Sequence, residues 1–133
     1  MKQTIRNEII QYAKETYHTE PEYLWAKTPD CAVLRHRDNR KWYAIIMDIS
    51  KEKLGMQGDE IVDILNVKCD PVMITSLLQS EGFFPAYHMN KTYWITILLD
   101  GTVSAEKITG LLDFSYDMTA KKKKQEKKEK ENM

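Results

Sequence analysis

The chain has 133 residues, 42% of them hydrophobic and 30% charged, which suits one domain with a real core and leaves little room for a second. Its formal net charge is zero, but the last thirteen residues, KKKKQEKKEKENM, hold seven Lys and three Glu, so residues 1–120 carry thirteen Lys/Arg against seventeen Asp/Glu. A mildly acidic body excludes a broad polyanion-binding surface, and any such function must rest on local clusters of charge.

Residues 2–17 place Ile5, Ile9, Tyr12, Ala13 and Tyr17 at helical spacing, which predicts one amphipathic helix laid on a core. Pro21 ends it by driving Glu20 out of helical geometry. The connector 22–30 follows, expected to be tucked down by Tyr23, Leu24 and Trp25. Three strands are predicted next, over Cys31–Arg37, Lys41–Ile49 and Glu60–Lys68. Asp38-Asn39 suits a tight hairpin between the first two, because both residue types tolerate positive φ. Asp70-Pro71 opens a second helix, with Val72, Ile74, Leu77 and Leu78 as its buried side and Gly82 closing it. Strands over Phe83–His88 and Thr92–Leu99 are joined at Met89-Asn90-Lys91. A last helix runs from about Ser104 to Met118 with Ile108, Leu111, Leu112 and Tyr116 inward.

The order predicts a two-layer α+β domain, α-β(3)-α-β(2)-α, with a five-stranded, largely antiparallel sheet over residues 1–119 and a disordered Lys/Glu-rich tail over 120–133. YAIIMDI and WITILLD are apolar on both alternating sets, so the face away from the helices is covered either by the chain itself or by another subunit. No apolar run approaches the ~20 residues of a membrane span, and the charged start is not a signal peptide. With Cys31 and Cys69 as the only cysteines, the expected setting is the reducing cytoplasm, with free thiols.

The chain also resembles itself. Shifted by fifty-one positions, HRDNRKWYAII (36–46) lies over YHMNKTYWITI (87–97), matching Asn39 with Asn90, Arg40 with Lys91 and Trp42-Tyr43 with Tyr93-Trp94. Two polar tips result: one with Arg35, His36, Arg37, Asn39, Arg40 and Lys41, the other with His88, Asn90 and Lys91. Paired tips of this kind can follow duplex DNA, with Arg and Lys on phosphates and Asn or Arg at base edges.

RHRDNRKWYAII, VDILNVKCDP, PAYHMNKTYWITILLDG and LLDFSYDMT resemble the signature blocks of the bacterial MmcQ/YjbR family, over roughly residues 1–119. The resemblance implies a fold similar to secretion chaperones and a double wing made by the two hairpins, with members commonly labelled DNA-binding. It brings no catalytic mechanism and no cofactor.

Other candidates are weaker. Cys69 precedes a helix start, beside Lys68, where a thiol could be activated, but a buried structural cysteine explains it as well, and no enzymatic activity is expected. No His or Cys pair has metal-ligand spacing. The competing function is a protein-interaction or chaperone-like module, or a homodimer, binding an apolar peptide or partner surface with Met56 and Met89 exposed.

Overall fold

A computed structural model describes residues 4–120 and contains three α-helices, one 3-10 turn and five strands. Helix α1 (Ile5–Tyr17) starts where the Thr4 hydroxyl accepts from the Asn7 N–H at 3.1 Å, and it ends at His18, whose φ of 58° turns the chain away. Strand β1 (Ala32–Arg35) pairs with β2 (Trp42–Ser50), and the 3-10 turn (Lys51–Leu54) leads to β3 (Ile61–Lys68). Helix α2 (Pro71–Leu77) has Asp70 as its cap and Pro71 in its first turn, the arrangement expected from the sequence. Strands β4 (Phe83–Pro85) and β5 (Trp94–Leu98) precede α3 (Ala105–Thr119), which Ser104 caps.

All four strand pairings are antiparallel, in the order β1-β2-β3-β5-β4. The helices gather on one face. There Leu34, Ile46, Leu65, Ile97, Ile9 and Leu112 form the main core. Full burial of such side chains contributes about 1.5–3 kcal/mol each. Between β1 and β2 the pairing steps from Leu34↔Ala44 to Arg35↔Trp42, so Tyr43 is an extra residue in a bulge. The bulge lets Tyr43 and Ala44 both reach the helix-side core while Trp42 packs on the opposite face.

That opposite face is covered in part by the chain itself. Leu54 and Met56 from the segment after β2, with Phe84 and Tyr87, pack over Ile49, Ile64 and Leu98. Trp42, Met47 and Met89 pack over Cys31, Val33 and Ile45. The free edge of β1 is blunted by Glu22, whose backbone exchanges hydrogen bonds with Val33 at 2.9 and 2.8 Å.

Several local expectations are corrected. Tyr23, Leu24 and Trp25 are exposed, and the connector is held by its backbone bridge to β1 instead. Val72 is 80% exposed and Leu78 lies past the end of α2, which is only seven residues long. Gly82 serves the entry to β4: its φ is +91°, and a Cβ there would meet Val103 Cγ2 at 2.6 Å. Strand β4 stops at Pro85, so residues 86–93 form a loop and not a tight hairpin. Among the described residues no helix is long and apolar enough to cross a membrane. The expected tail, apart from Ala120, lies outside the described residues.

Candidate functional site

Both predicted tips stand at the same end of the sheet. Ala44 pairs with Val67 and Val67 with Ile95, so the starts of β2 and β5 are aligned with only β3 between them. Two strand spacings of about 4.8 Å place the two connections within roughly 10 Å at their bases.

The first tip is a tight turn closed by the His36 N–H donating to the Lys41 carbonyl at 2.9 Å. Its left-handed residue is Arg40, φ 63°, and not Asp38 or Asn39. The Asn39 side-chain oxygen accepts from the Lys41 N–H at 2.8 Å, and its amide donates to the Thr119 carbonyl at 2.9 Å. Asn39 therefore fastens the turn to the end of α3, which removes it as a reader of base edges.

His36 is corrected too. It is buried, with its ring against Tyr116 at a centroid distance of 4.1 Å. Nε2 lies 3.0 Å from the Tyr116 carbonyl, which can only accept, so this nitrogen carries the proton. Burial pushes the imidazole pKa down, opposed by that hydrogen bond. His36 belongs to a cluster in which Tyr17 stacks on Tyr116 at 4.0 Å and Tyr43 meets Tyr116 edge-on. It holds the sheet to α3 and has no open face for DNA.

Arg35 and Arg40 are committed to one carboxylate. Glu22 Oε1 accepts from Arg35 Nε and Nη2 at 3.1 and 2.6 Å, and Oε2 accepts from Arg40 Nη2 at 2.8 Å. The Arg35 hydrogen bond, opposed by burial and reinforced by Arg40, holds the Glu22 carboxyl below its usual range. Arg37 and Lys41 remain exposed.

The second connection folds back onto the sheet. Tyr87 is held at both backbone groups: its N–H donates to Thr96 Oγ1 at 2.9 Å, and its carbonyl accepts from Asn66 Nδ2 at 3.1 Å. Thr96 Oγ1 donates in turn to Asn66 Oδ1. His88 takes φ 60° with its ring against Tyr87, and Met89 then packs toward Cys31, Val33 and Ile45. The Asn90 oxygen accepts from the Thr92 and Tyr93 N–H groups at 2.8 and 3.1 Å. The internal repeat thus has a structural counterpart, because Asn39 and Asn90 each accept from the N–H two residues on. Their shared role is turn closure. Lys91 is exposed, and with His88 and Lys53 it lines a shallow recess of about 360 Å³.

Of the nine residues nominated from sequence, Arg37, Lys41, His88 and Lys91 are exposed, and none of them is in the ion pairs found among the described residues. Arg35, Arg40 and Asn39 are bonded within the chain, Asn90 spends its side-chain oxygen there, and His36 is inside. The sequence reading missed Glu22, which neutralises two cations, and the buried Asn66–Thr96 pair. One signal was available: Asn66 interrupts an otherwise apolar run, ILNV, in a central strand.

A second recess of about 430 Å³ lies on the face away from the helices, between the connector and the 86–93 loop. Trp25, Trp42, Met47 and Met89 supply its apolar walls, and Asn66 lies among its lining residues. The two indoles meet edge to face at 5.8 Å. Lys27 and His88 line it as well, and among the described residues no Asp or Glu does.

Cys69 and Cys31 are both buried. Burial pushes both thiols above the ordinary cysteine range, and at Cys69 it outweighs the hydrogen bond from the Asp70 backbone. Helix α2 therefore does not activate Cys69. Among the described residues no group of three or more His, Cys, Asp or Glu is placed to hold a metal ion.

The family model described as YjbR matches residues 14–118. The uncharacterized protein YyaQ of Bacillus subtilis is 43% identical over 114 residues, covering 86% of this chain and 97% of that protein. A crystal structure of a Pseudomonas syringae protein, 47% identical, superposes with a TM-score of 0.84 over 86% of this chain and 98% of the other. A Deinococcus radiodurans protein of the DUF419 domain family, 26% identical, gives a TM-score of 0.70 over 95% and 87% of the two chains.

Proposed function

The chain belongs to the YjbR family, and on that premise we propose that it is a non-enzymatic protein that binds duplex DNA weakly at the end of the sheet carrying its two connections. One observation supports this above the others. Arg37 and Lys41 on the turn and Lys91 on the loop stand at the same sheet end, exposed and outside the ion pairs found among the described residues, and Lys53 shares a recess with Lys91. Cations so placed act on phosphates, which are spaced along the backbone regardless of sequence. Of the side chains expected to read bases, Asn39 has both its polar groups occupied and Asn90 its oxygen, so the binding is largely sequence-independent.

The chaperone-like alternative loses its main support. Met56 and Met89 are partly buried against this chain's own sheet, so the pair of exposed methionines expected for that reading is not there, and only Met89 keeps an open side, on the recess beside Trp25 and Trp42.

The test is titration of mixed-sequence duplex DNA at two salt concentrations. It uses the full chain, a chain ending at Ala120 with its fold checked by circular dichroism, and the variants Arg37→Ala, Lys41→Ala, Lys53→Ala and Lys91→Ala. Each variant should weaken binding to all sequences alike, and each lost phosphate contact should lower the log–log salt slope by about one unit. If the shortened chain shows no salt-sensitive binding, or the variants bind as the parent does, this end of the sheet is not a nucleic-acid surface.

A further inference from the structure

We propose that the 430 Å³ recess on the open face of the sheet is a binding site for a small planar aromatic anion, such as a bicyclic aromatic carboxylate. The inference is independent of the DNA reading, since it needs none of Arg37, Lys41, Lys53 or Lys91.

Size comes first. A volume of 430 Å³ lies in the range of small-ligand sites, about 300–1,000 Å³, and toward its lower end. It suits one or two fused rings better than a peptide segment.

The walls argue for a flat, polarisable body. Trp25 stands at 75° to Trp42, and two thioethers, Met47 and Met89, line the same space. Indoles take a ring edge-on or offset, and thioether sulfur favours aromatic contacts. Trp25 remains 41% exposed although it touches Trp42, so much of its apolar surface is open to an incoming ring.

Charge selects the sign. Lys27 and His88 line the recess, and among the described residues no carboxylate does. A cationic ligand would meet the aromatic faces but also the like charge of Lys27 with no carboxylate to offset it, whereas an anion finds the Lys27 side chain beside an apolar wall.

The recess is also built in advance. Asn66 and Thr96 fix both backbone groups of Tyr87 on one side. On the other, the Thr28 N–H donates to the Trp25 carbonyl at 3.2 Å and the Cys31 N–H to the Thr28 carbonyl at 3.0 Å. A site held by such bonds loses little ordering entropy when a ligand enters.

The experiment follows the three indole N–H signals by NMR while the full chain is titrated with 1-naphthoate, neutral 1-naphthamide and cationic 1-naphthylmethylammonium. Trp25 and Trp42 should shift and saturate with naphthoate, with a Kd below about 1 mM, while Trp94, which does not line the recess, stays in place. The amide should bind about tenfold more weakly and the cation more weakly still. Lys27→Gln, an exposed substitution that does not threaten folding, should bring naphthoate affinity down to that of the amide. Met89→Glu, with the fold checked by circular dichroism, should abolish the preference for the anion. Equal affinity for all three probes, an unchanged Lys27→Gln variant, or no saturable shift at Trp25 and Trp42 overturns the proposal.

Discussion

Thr96→Val tests the polar joint that holds the 86–93 loop to the sheet. The substitution keeps the β-branched shape and removes one hydroxyl, in a side chain with no exposed surface. That hydroxyl accepts the Tyr87 N–H at 2.9 Å and donates to the buried Asn66. Its loss leaves the Tyr87 donor and the Asn66 acceptor unpaired, and each such orphan costs about 1–3 kcal/mol. The added methyl offsets about 0.8 kcal/mol by burial. The net cost is then about 1–5 kcal/mol, or a fall in Tm of roughly 4–20 °C for a domain of this size. Urea unfolding should show a lower midpoint at unchanged slope, and the Tyr87 amide should exchange its hydrogen faster than its neighbours in β5. Thr96→Ser keeps the hydroxyl and should lose only about 1 kcal/mol. If Thr96→Val lies within about 0.5 kcal/mol of the parent, the pair is not a structural joint and the recess wall it supports is not fixed in advance.

Four further outcomes are expected. Gly82→Ala combines a positive φ with a Cβ 2.6 Å from Val103 Cγ2, so equilibrium unfolding should show a loss of about 2–4 kcal/mol. His36, faced by Asp38, Asp117 and Lys41, has its pKa depressed from an ordinary value near 6.5. The unfolded chain therefore takes up this proton first: the contribution of His36 is whole above about pH 6.5 and is lost as pH falls through the depressed folded value, a slope that His36→Gln should flatten in denaturation measured from pH 7.5 to 5. Glu22→Gln should release Arg35 and Arg40 and strengthen DNA binding in the titration above, and unchanged affinity would place the turn away from the bound duplex. Cys31 and Cys69 should resist iodoacetamide at neutral pH in the native state and label only on unfolding, as read by mass spectrometry, because burial raises both thiols; rapid labelling of Cys69 would reopen an enzymatic role.

Much of the fold was legible because its signals are local. The helical spacing of Ile5, Ile9 and Ala13, the Asp70-Pro71 start and the apolar strand runs each specify an element without reference to the rest. What stayed hidden was set by long-range contacts. The bulge at Tyr43 depends on a ring cluster assembled from α1, β2 and α3, and the covering of the second face depends on where two separate loops come to rest. Gly82 could be read as a stop, but only the position of Val103 shows why a side chain is refused there.

The candidate site was legible as a set of residue types and not as a set of free groups. Arginine and asparagine at a turn look available in a sequence, because the partner that occupies them lies elsewhere in the chain. Glu22 is thirteen residues from Arg35, and Thr119 is eighty from Asn39. Of the six polar residues of that turn, Arg37 and Lys41 are the exposed cations left outside the ion pairs found among the described residues. The same accounting works in the opposite direction on the open face. Trp25, Lys27 and Met47 belong to no motif and Met89 stands in one only as a turn residue, yet the Glu22–Val33 bridge and the Tyr87 anchor bring them together around one space. A charged tip loses reach once its internal partners are counted, and an unremarkable connector gains a site once its neighbours are known. Which of the two surfaces carries the protein's function is therefore a question of separable ligands: a polyanion whose affinity falls with salt, and a small aromatic anion whose affinity follows Lys27.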